Sequence, residues 1–468
     1  MNYQKLRRLR IASQLLFMGL FLILFFWPQD QTEPGTLSKP FLLIDPLQYL
    51  ILVTTTHKWI SLLALSLIPL VLTLVFGRFF CGWICPMGSL QHFMSFLMKP
   101  FRKTGNTVTG GSLWAVKYVV FIPVILFPVL ELNLAGWLDP LSLLTRSLAG
   151  LYNPILLLIF IGIILLNIRR HRFFCRVLCP LGALYGLVAR FRLFRWIPQP
   201  SCTGCGKCSY SCPAGMDLPQ EHASSECLLC MNCANACPEG ALKLKRQRSD
   251  KVLEVKYLPK RRVVITTLAV SAAWALLPRL TLAKTAIRRT TLVRPPGSLA
   301  EPEFLDRCTR CGQCMQSCPT GFIKTADIDE GIETLWTPVC SGESGGCNWE
   351  CVNCTYVCPS GAIRKLSLKE KQKLKIGTAV LDKNLCYTYA DGFNCTACYE
   401  SCPVPGKAIS FRQAEMIDFR GDPVTVNQAF ILTDECTGCG LCVKACPRTD
   451  RSAMQILPDG EDRNNPGM

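Results

Sequence analysis

Residues Arg78–Leu90 read RFFCGWICPMGSL, and residues Arg172–Leu184 read RFFCRVLCPLGAL. Arg172 follows Arg78 by 94 positions, and the same offset carries Asp45-Pro46-Leu47 onto Asp139-Pro140-Leu141. Two landmarks matched at one offset make an internal repeat. Around them lie four apolar runs, Ile11–Trp27, Trp59–Phe76, Trp114–Leu132 and Leu151–Ile168. Each approaches the roughly 20 residues that a membrane-spanning helix needs. Four buried core helices are the alternative, but so much apolar sequence leaves little polar chain to cover it. Each repeat then holds two spans, an outward DPL loop between them and an inward RFFCxxxCP segment. An even number of spans per repeat makes the repeats parallel, with a pseudo-twofold axis along the membrane normal.

Lys5, Arg7, Arg8 and Arg10 precede the first run, Arg78, Lys99, Arg102 and Lys103 follow the second, and Arg169, Arg170, Arg172 and Arg176 follow the fourth. The positive-inside rule puts the N-terminus and residues 77–113 and 169–260 in the cytoplasm. The first run has no convincing cleavage site and reads as an anchor. The repeat also places Cys81, Cys85, Cys175 and Cys179 on one inner face. Spacing of four residues puts both sulfurs of a pair on one side of a helix. Four thiolates there suit a shared iron–sulfur cluster or metal ion, with paired structural cysteines or redox thiols as alternatives.

Further along, six groups of four cysteines follow one another. They are Cys202, Cys205, Cys208 and Cys212; Cys227, Cys230, Cys233 and Cys237; Cys308, Cys311, Cys314 and Cys318; Cys347, Cys351, Cys354 and Cys358; Cys386, Cys395, Cys398 and Cys402; and Cys436, Cys439, Cys442 and Cys446. Each ends in Cys-Pro, and the fourth and fifth have a stretched first gap. CxxCxxCxxxCP is the bacterial ferredoxin spacing, in which three close thiolates hold three corners of a 4Fe–4S cube and the fourth ligates the neighbouring cube. Zinc ribbons show pairs instead of triplets, and cytoplasmic disulfides are rare. The reading is six 4Fe–4S clusters. In the first two groups, Cys202, Cys205, Cys208 and Cys237 hold one cube, and Cys227, Cys230, Cys233 and Cys212 the other. Of 29 cysteines, Cys340 is left over. It reads as a ligand in place of Cys347, a core residue or a partner contact, with Cys347 the favoured ligand.

The charge is split. Residues 1–299 carry a net +23 and residues 300–468 a net −5, which add to +18, and half of the chain is hydrophobic. A single soluble enzyme domain is excluded. The positive charge flanks apolar runs, which argues for membrane topology and against nucleic acid. The expected fold is a membrane α-helical four-helix repeat bundle plus a fifth span, joined to α+β ferredoxin-like iron–sulfur domains. The domains are 1–195, the four-span part; 196–245, a cytoplasmic two-cluster module; 246–299, a basic linker with the fifth span at 263–280; and 300–468, a four-cluster periplasmic domain. Lys260-Arg261-Arg262 before an apolar run resembles a twin-arginine export signal; a connector lying on the inner face is the alternative. Arg294–Phe304 reads as an entry linker, Lys365–Lys375 as an exposed helix face, and the terminal GEDRNNPGM as disordered.

With these motifs in hand, residues 1–240 resemble the NapH-type membrane ferredoxins. Residues 255–468, with Arg261-Arg262, RPPGSLAEPEFLDRCTRCGQC and four cysteine groups, resemble the NapG or MauM-type polyferredoxins. The chain looks like a fusion of the two. The resemblance implies an electron-transfer subunit of a quinol-linked oxidoreductase in a bacterial inner membrane. It would take electrons from the quinone pool and pass them to a periplasmic reductase or cytochrome. Quinol oxidation needs a base, and Asp45, Asp139 and His57 are the candidates. Helix capping is the competing reading of the aspartates. A cytoplasmic ferredoxin feeding the inner clusters is an alternative source of electrons, and metal handling of the CcoG type is an alternative function.

Overall fold

The computed structural model describes residues 3–26, 40–57, 61–101, 112–129, 133, 135–150, 153–216, 218, 224–246, 260–280, 292–417 and 421–464. It divides into two compact units, Met1–Trp27 with Leu37–Pro278, and Pro28–Thr36 with Arg279–Met468.

In the first unit, Tyr3–Phe26 is a 24-residue helix, the one among the described residues long and apolar enough to cross a membrane. The other three expected spans fold as shorter apolar helices, Ala64–Phe76, Ala115–Val129 and Pro154–Ile168. Their local structure differs. The second run opens as the 3-10 turn Ser61–Ser66. The third lies in the continuous helix Ser112–Val129, which accommodates Pro123 and Pro128 although each lacks a helical N–H. The fourth starts at the Asn153 cap and passes into a 3-10 turn at Leu166–Ile168. Trp27, residues 59–60, residues 130–132 and residues 151–152 of the expected spans lie outside the described residues. The fifth run lies within a 20-residue helix, Arg261–Leu280.

The repeat is visible as four helix starts of one design. Asp45 caps Pro46–Thr56 and Asp139 caps Pro140–Ala149. Cys85 caps Pro86–Leu97 and Cys179 caps Pro180–Val188. A proline in the first turn costs no hydrogen bond, because that N–H has no partner in the helix. The short helices Phe79–Trp83 and Phe173–Val177 precede the cysteine caps.

Strand β1, Phe194–Pro198, pairs antiparallel with β2, Leu242–Arg246, and closes the first ferredoxin module around buried Trp196. The helices Lys207–Tyr210 and Asn232–Ala236 pack together inside it.

The second unit contains two more such modules. One has β3, Ile323–Thr325, against β4, Pro338–Cys340, and is closed by the Ser298–Ile363 bridge. The other is closed by β5, Thr378–Leu381, against β8, Met454–Leu457, and carries a hairpin of β6, Ile409–Ile417, and β7, Pro423–Ile431. Their paired helices are Gln313–Gln316 with Asn353–Val357 and Ala397–Glu400 with Leu441–Ala445.

Two expected loose ends are packed instead. Arg294 is 1 % exposed, its Nε donates to Glu301 at 3.1 Å, and its Nη1 donates to Thr337 Oγ1 at 2.8 Å. Arg463 ion-pairs with the same Glu301 and with Glu461. The entry segment and residues 460–464 of the tail are therefore held by a shared buried ion network, while residues 465–468 lie outside the described chain. The basic stretch is also not wholly exposed: within the helix Leu368–Lys373, Lys371 is buried.

Candidate iron–sulfur centres

At five of the six sites in the ferredoxin modules, three cysteines of one group meet the Cys-Pro cysteine of the other. Cys202, Cys205, Cys208 and Cys237 line one cavity, which we number site 1. Cys227, Cys230 and Cys233 face Cys212 at site 2. Cys308, Cys311, Cys314 and Cys358 line site 3. Cys347, Cys351 and Cys354 meet Cys318 at site 4. Cys436, Cys439, Cys442 and Cys402 line site 6. At site 5, Cys386, Cys395 and Cys398 lie together. The same rule assigns Cys446 to it, and Arg448, two residues on, donates to Leu385 O at 2.6 Å and pairs with Asp391.

These donors suit 4Fe–4S cubes. Each such set offers four thiols from two loops, the number and type of donor that a cube takes. Burial pushes the Cys212 thiol up to about 12 and the Cys311 thiol up to about 12. Such thiols stay protonated unless iron draws the proton off. Backbone amides reach the remote ligands: Ala241 N donates to Cys237 Sγ at 3.3 Å, Ala408 N to Cys402 Sγ at 3.4 Å and Ala453 N to Cys446 Sγ at 3.4 Å. Hydrogen bonds to sulfur raise a cluster's potential by stabilising added charge.

The two modules of the second unit meet at their cysteine loops. Cys347 N donates to Cys439 O at 2.7 Å, and Ile376 N to Thr437 O at 3.0 Å. Gly440 has φ 77°, and a Cβ there would meet Phe322 at 2.8 Å. Sites 4 and 6 are therefore neighbours, and the four sites run in the order 3, 4, 6, 5.

In the first unit, Cys81, Cys85, Cys175 and Cys179 come together around the repeat axis. Cys85 interacts with Cys81 and Cys175, and Cys179 with Cys175, Cys81 and Cys85. The arginines of the two RFFC segments cross over. Arg172 Nη2 donates to Cys81 O at 3.1 Å and lies against Gly88, where a Cβ would meet it at 3.1 Å. Arg78 lies against Gly182, where a Cβ would meet its Nη2 at 2.7 Å. Arg78 and Lys117 both pair with Glu226, which also accepts from Tyr118 Oη at 2.8 Å. Burial opposes ionisation of Glu226, but Lys117 and Arg78 outweigh it and hold its carboxyl down at about 2. Trp83 Nε1 donates to Leu229 O at 3.2 Å, so the CGWIC turn docks on the loop of site 2. Arg172 interacts with Cys230 as well as with Cys85. The four-thiol centre, site 2 and site 1 thus form a series.

Asp45 and Asp139 are fully buried and face each other. Asp45 Oδ1 accepts from Leu47 N at 2.9 Å, and Asp139 Oδ2 from Ser142 N at 2.8 Å, so both cap helices. Their repeat-related neighbours Gln48 and Ser142 touch across the axis at 3.4 Å. His57 does not join them. It sits exposed at the far end of the 11-residue helix that Asp45 starts. That helix is about 16 Å long at 1.5 Å per residue.

Three kinds of residue at these sites were not legible in the sequence. Tyr185 is fully buried, interacts with Asp45, Cys81, Cys85 and Cys179, and its hydroxyl has no partner among the described residues. Glu226 and Lys117 come from distant segments, and no spacing announces their pairing. Lys371 looked like one of a run of surface lysines. Arg78 and Arg172 did carry a signal, their identical place in both repeats.

Models of 4Fe–4S binding domains match residues 59–104 and 152–198, residues 199–215 and 224–240, and residues 304–324, and a 4Fe–4S dicluster domain matches residues 393–449. The methylamine utilization ferredoxin-type protein MauM of Methylobacillus flagellatus is 35 % identical over 170 residues, 36 % of this chain and 69 % of its own length. MauM of Paracoccus denitrificans is 35 % identical over 178 residues, 37 % of this chain and 75 % of its own. The ferredoxin-type protein NapG of Escherichia coli is 34 % identical over 172 residues, 36 % of this chain and 70 % of its own. No solved structure matches. With multiple 4Fe–4S domains and more than a third of its residues aligned to these proteins, the chain belongs to the MauM and NapG family of ferredoxin-type electron-transfer proteins.

Proposed function

We propose that this protein is a membrane-embedded quinol-linked electron conduit with six 4Fe–4S clusters and a further iron–sulfur or metal centre at Cys81, Cys85, Cys175 and Cys179. The first unit, of NapH type, takes up electrons, and the second delivers them to a periplasmic reductase or cytochrome. The observation that carries the reading is the succession inside the first unit: the Asp45–Asp139 pair, Tyr185, the four thiols, then sites 2 and 1. A proton acceptor and an electron acceptor separated by one side chain are what oxidation of a hydroxylated quinol ring requires.

A membrane setting is supported by the apolar side chains that the shorter helices leave uncovered, among them Ile68, Val71, Ile155 and Leu158. Contiguous exposed apolar surface needs lipid or a partner. Lipid is the reading here, with Arg261–Leu280 as a further span that places the second unit outside.

Bound iron–sulfur clusters supply one-electron storage at each cysteine site. The chain supplies the rest. Burial, with Asp139 beside it, pushes the Asp45 carboxyl up, so a proton released by a quinol hydroxyl has a place to rest there. Gln48 Oε1, the Gln91 amide and Tyr185 Oη are buried polar atoms without partners among the described residues, and they can orient a polar ring. Arg78 and Arg172 offset the negative charge that four thiolates carry.

The test is a redox titration followed by electron paramagnetic resonance, with and without a menaquinol analogue. Reduction of several interacting clusters by the analogue is expected. Reduction only by a low-potential soluble ferredoxin would make site 1 the entry point and remove the quinol reading.

A further inference from the structure

Site 4 is built with one thiol more than a cube can use. Its ferredoxin set is Cys347, Cys351, Cys354 and Cys318. Cys340 stands against the same group, with Cys347, Cys354 and Cys318 as its neighbours. Strand pairing puts it there. Cys340 ends β4 directly opposite Ile323, its amide donates to Val293 O at 2.8 Å, and Ser341 N donates to Phe322 O at 2.8 Å. Cys318, Cys340 and Cys347 then pack on one apolar floor of Val293, Phe322 and Ile376.

Cys347 is the replaceable member of the set. Three residues separate it from Cys351 where the ferredoxin spacing has two, so it is the ligand least constrained by the loop that wraps the cube. It also has somewhere to go. The buried ammonium of Lys371, held by Asn348 O at 2.6 Å and Trp349 O at 3.1 Å, hydrogen-bonds the Cys347 sulfur. A sulfur that leaves the iron there still has a donor beside it.

We propose that Cys340 is an exchangeable ligand of the fourth cluster, taking the place of Cys347. The exchange breaks the Fe–S bond to Cys347 and forms one to Cys340, and the thiol proton of Cys340 ends on Cys347. No electron is gained or lost. Site 4 is the link to site 6, so a reserve ligand keeps the electron path intact when Cys347 is lost or oxidised. The inference rests on cluster binding at site 4 and is independent of the quinol reading.

The test uses the full-length chain, purified anaerobically in detergent, with iron content and the resonance spectrum of the reduced protein as readouts. Cys347→Ala and Cys340→Ala are each expected to keep the full iron content, with spectra that differ from one another because the ligand differs. The double variant loses one cluster, four irons, and keeps the others. Cys314→Ala, at site 3 with no spare thiol, loses one cluster and calibrates the loss. A Cys347→Ala chain that loses a cluster or fails to fold overturns the proposal, as does a Cys340→Ala chain that loses one or a double variant that loses none. A wild-type chain without iron at site 4 would count against the cluster reading itself.

Discussion

At the scale of single residues, the strongest dependence falls on Glu226. It is buried and is the shared ion-pair partner of Arg78 and Lys117. Glu226→Gln leaves two buried cations short of a partner, which costs about 3–5 kcal/mol. Thermal unfolding in detergent should show a correspondingly lower midpoint. The same carboxyl sets a pH window. Its folded value, about 2, lies below the ordinary 4.5, so its stabilisation is complete above the ordinary value and is lost as pH falls toward 2. Acid unfolding of the Gln variant should lose that segment of the pH dependence; an unchanged profile would deny Glu226 the role. For the carboxyl pair, Asp45→Asn with Asp139→Asn should slow quinol-dependent cluster reduction by roughly 10²–10⁴-fold, the usual worth of a positioned base. His57→Ala should leave the rate unchanged, since His57 sits exposed at the other end of the helix. Equal rates in the Asp variant and the parent would remove the pair from the mechanism.

At the scale of elements, the recurrent device is a cap followed by proline. It explains why Asp45 and Asp139, and Cys85 and Cys179, occupy equivalent places: each starts a helix and accepts a hydrogen bond from a backbone N–H of that helix's first turn. Capping and chemistry are therefore compatible readings of one residue. In the second unit the tight element is the turn at Gly440. Its left-handed backbone and the contact with Phe322 exclude a side chain. Gly440→Ala should cost about 1–3 kcal/mol of strain and loosen the contact between sites 4 and 6. Calorimetry of the variant with full iron content tests this, and an unchanged midpoint would show that the turn relaxes freely.

At the scale of the whole molecule, each unit presents its centres in series. The order 3, 4, 6, 5 rests on the hydrogen bond from Cys347 to Cys439. Removing the sixth cluster with Cys442→Ala should leave the magnetic coupling of sites 3 and 4 in place and isolate site 5. Coupling between sites 4 and 5 that persists in this variant would refute the order. The buried network of Arg294, Glu301, Glu461 and Arg463 joins the first and last segments of the second unit. It holds a domain with little apolar core closed around its clusters.

The amino-acid sequence by itself determined what spacing encodes: the repeat, the six cysteine groups and, for the first two groups, the exchange of Cys-Pro cysteines; the pairing of the four groups of the second unit came from the tertiary structure. Short loops around a cube admit few arrangements, so local order suffices there. Length and apolarity marked four spans; among the described residues one is a 24-residue helix, and the other three hold shorter apolar helices, with a 3-10 turn opening the second and another following the fourth. Only the tertiary structure brought Asp45 to Asp139, left His57 aside, set Tyr185 between acid and thiol, buried Lys371 and placed Cys340 at site 4. Those outcomes depend on which distant segments share a buried surface. Burial of a charge or thiol is settled by packing across the chain, and no local pattern records it.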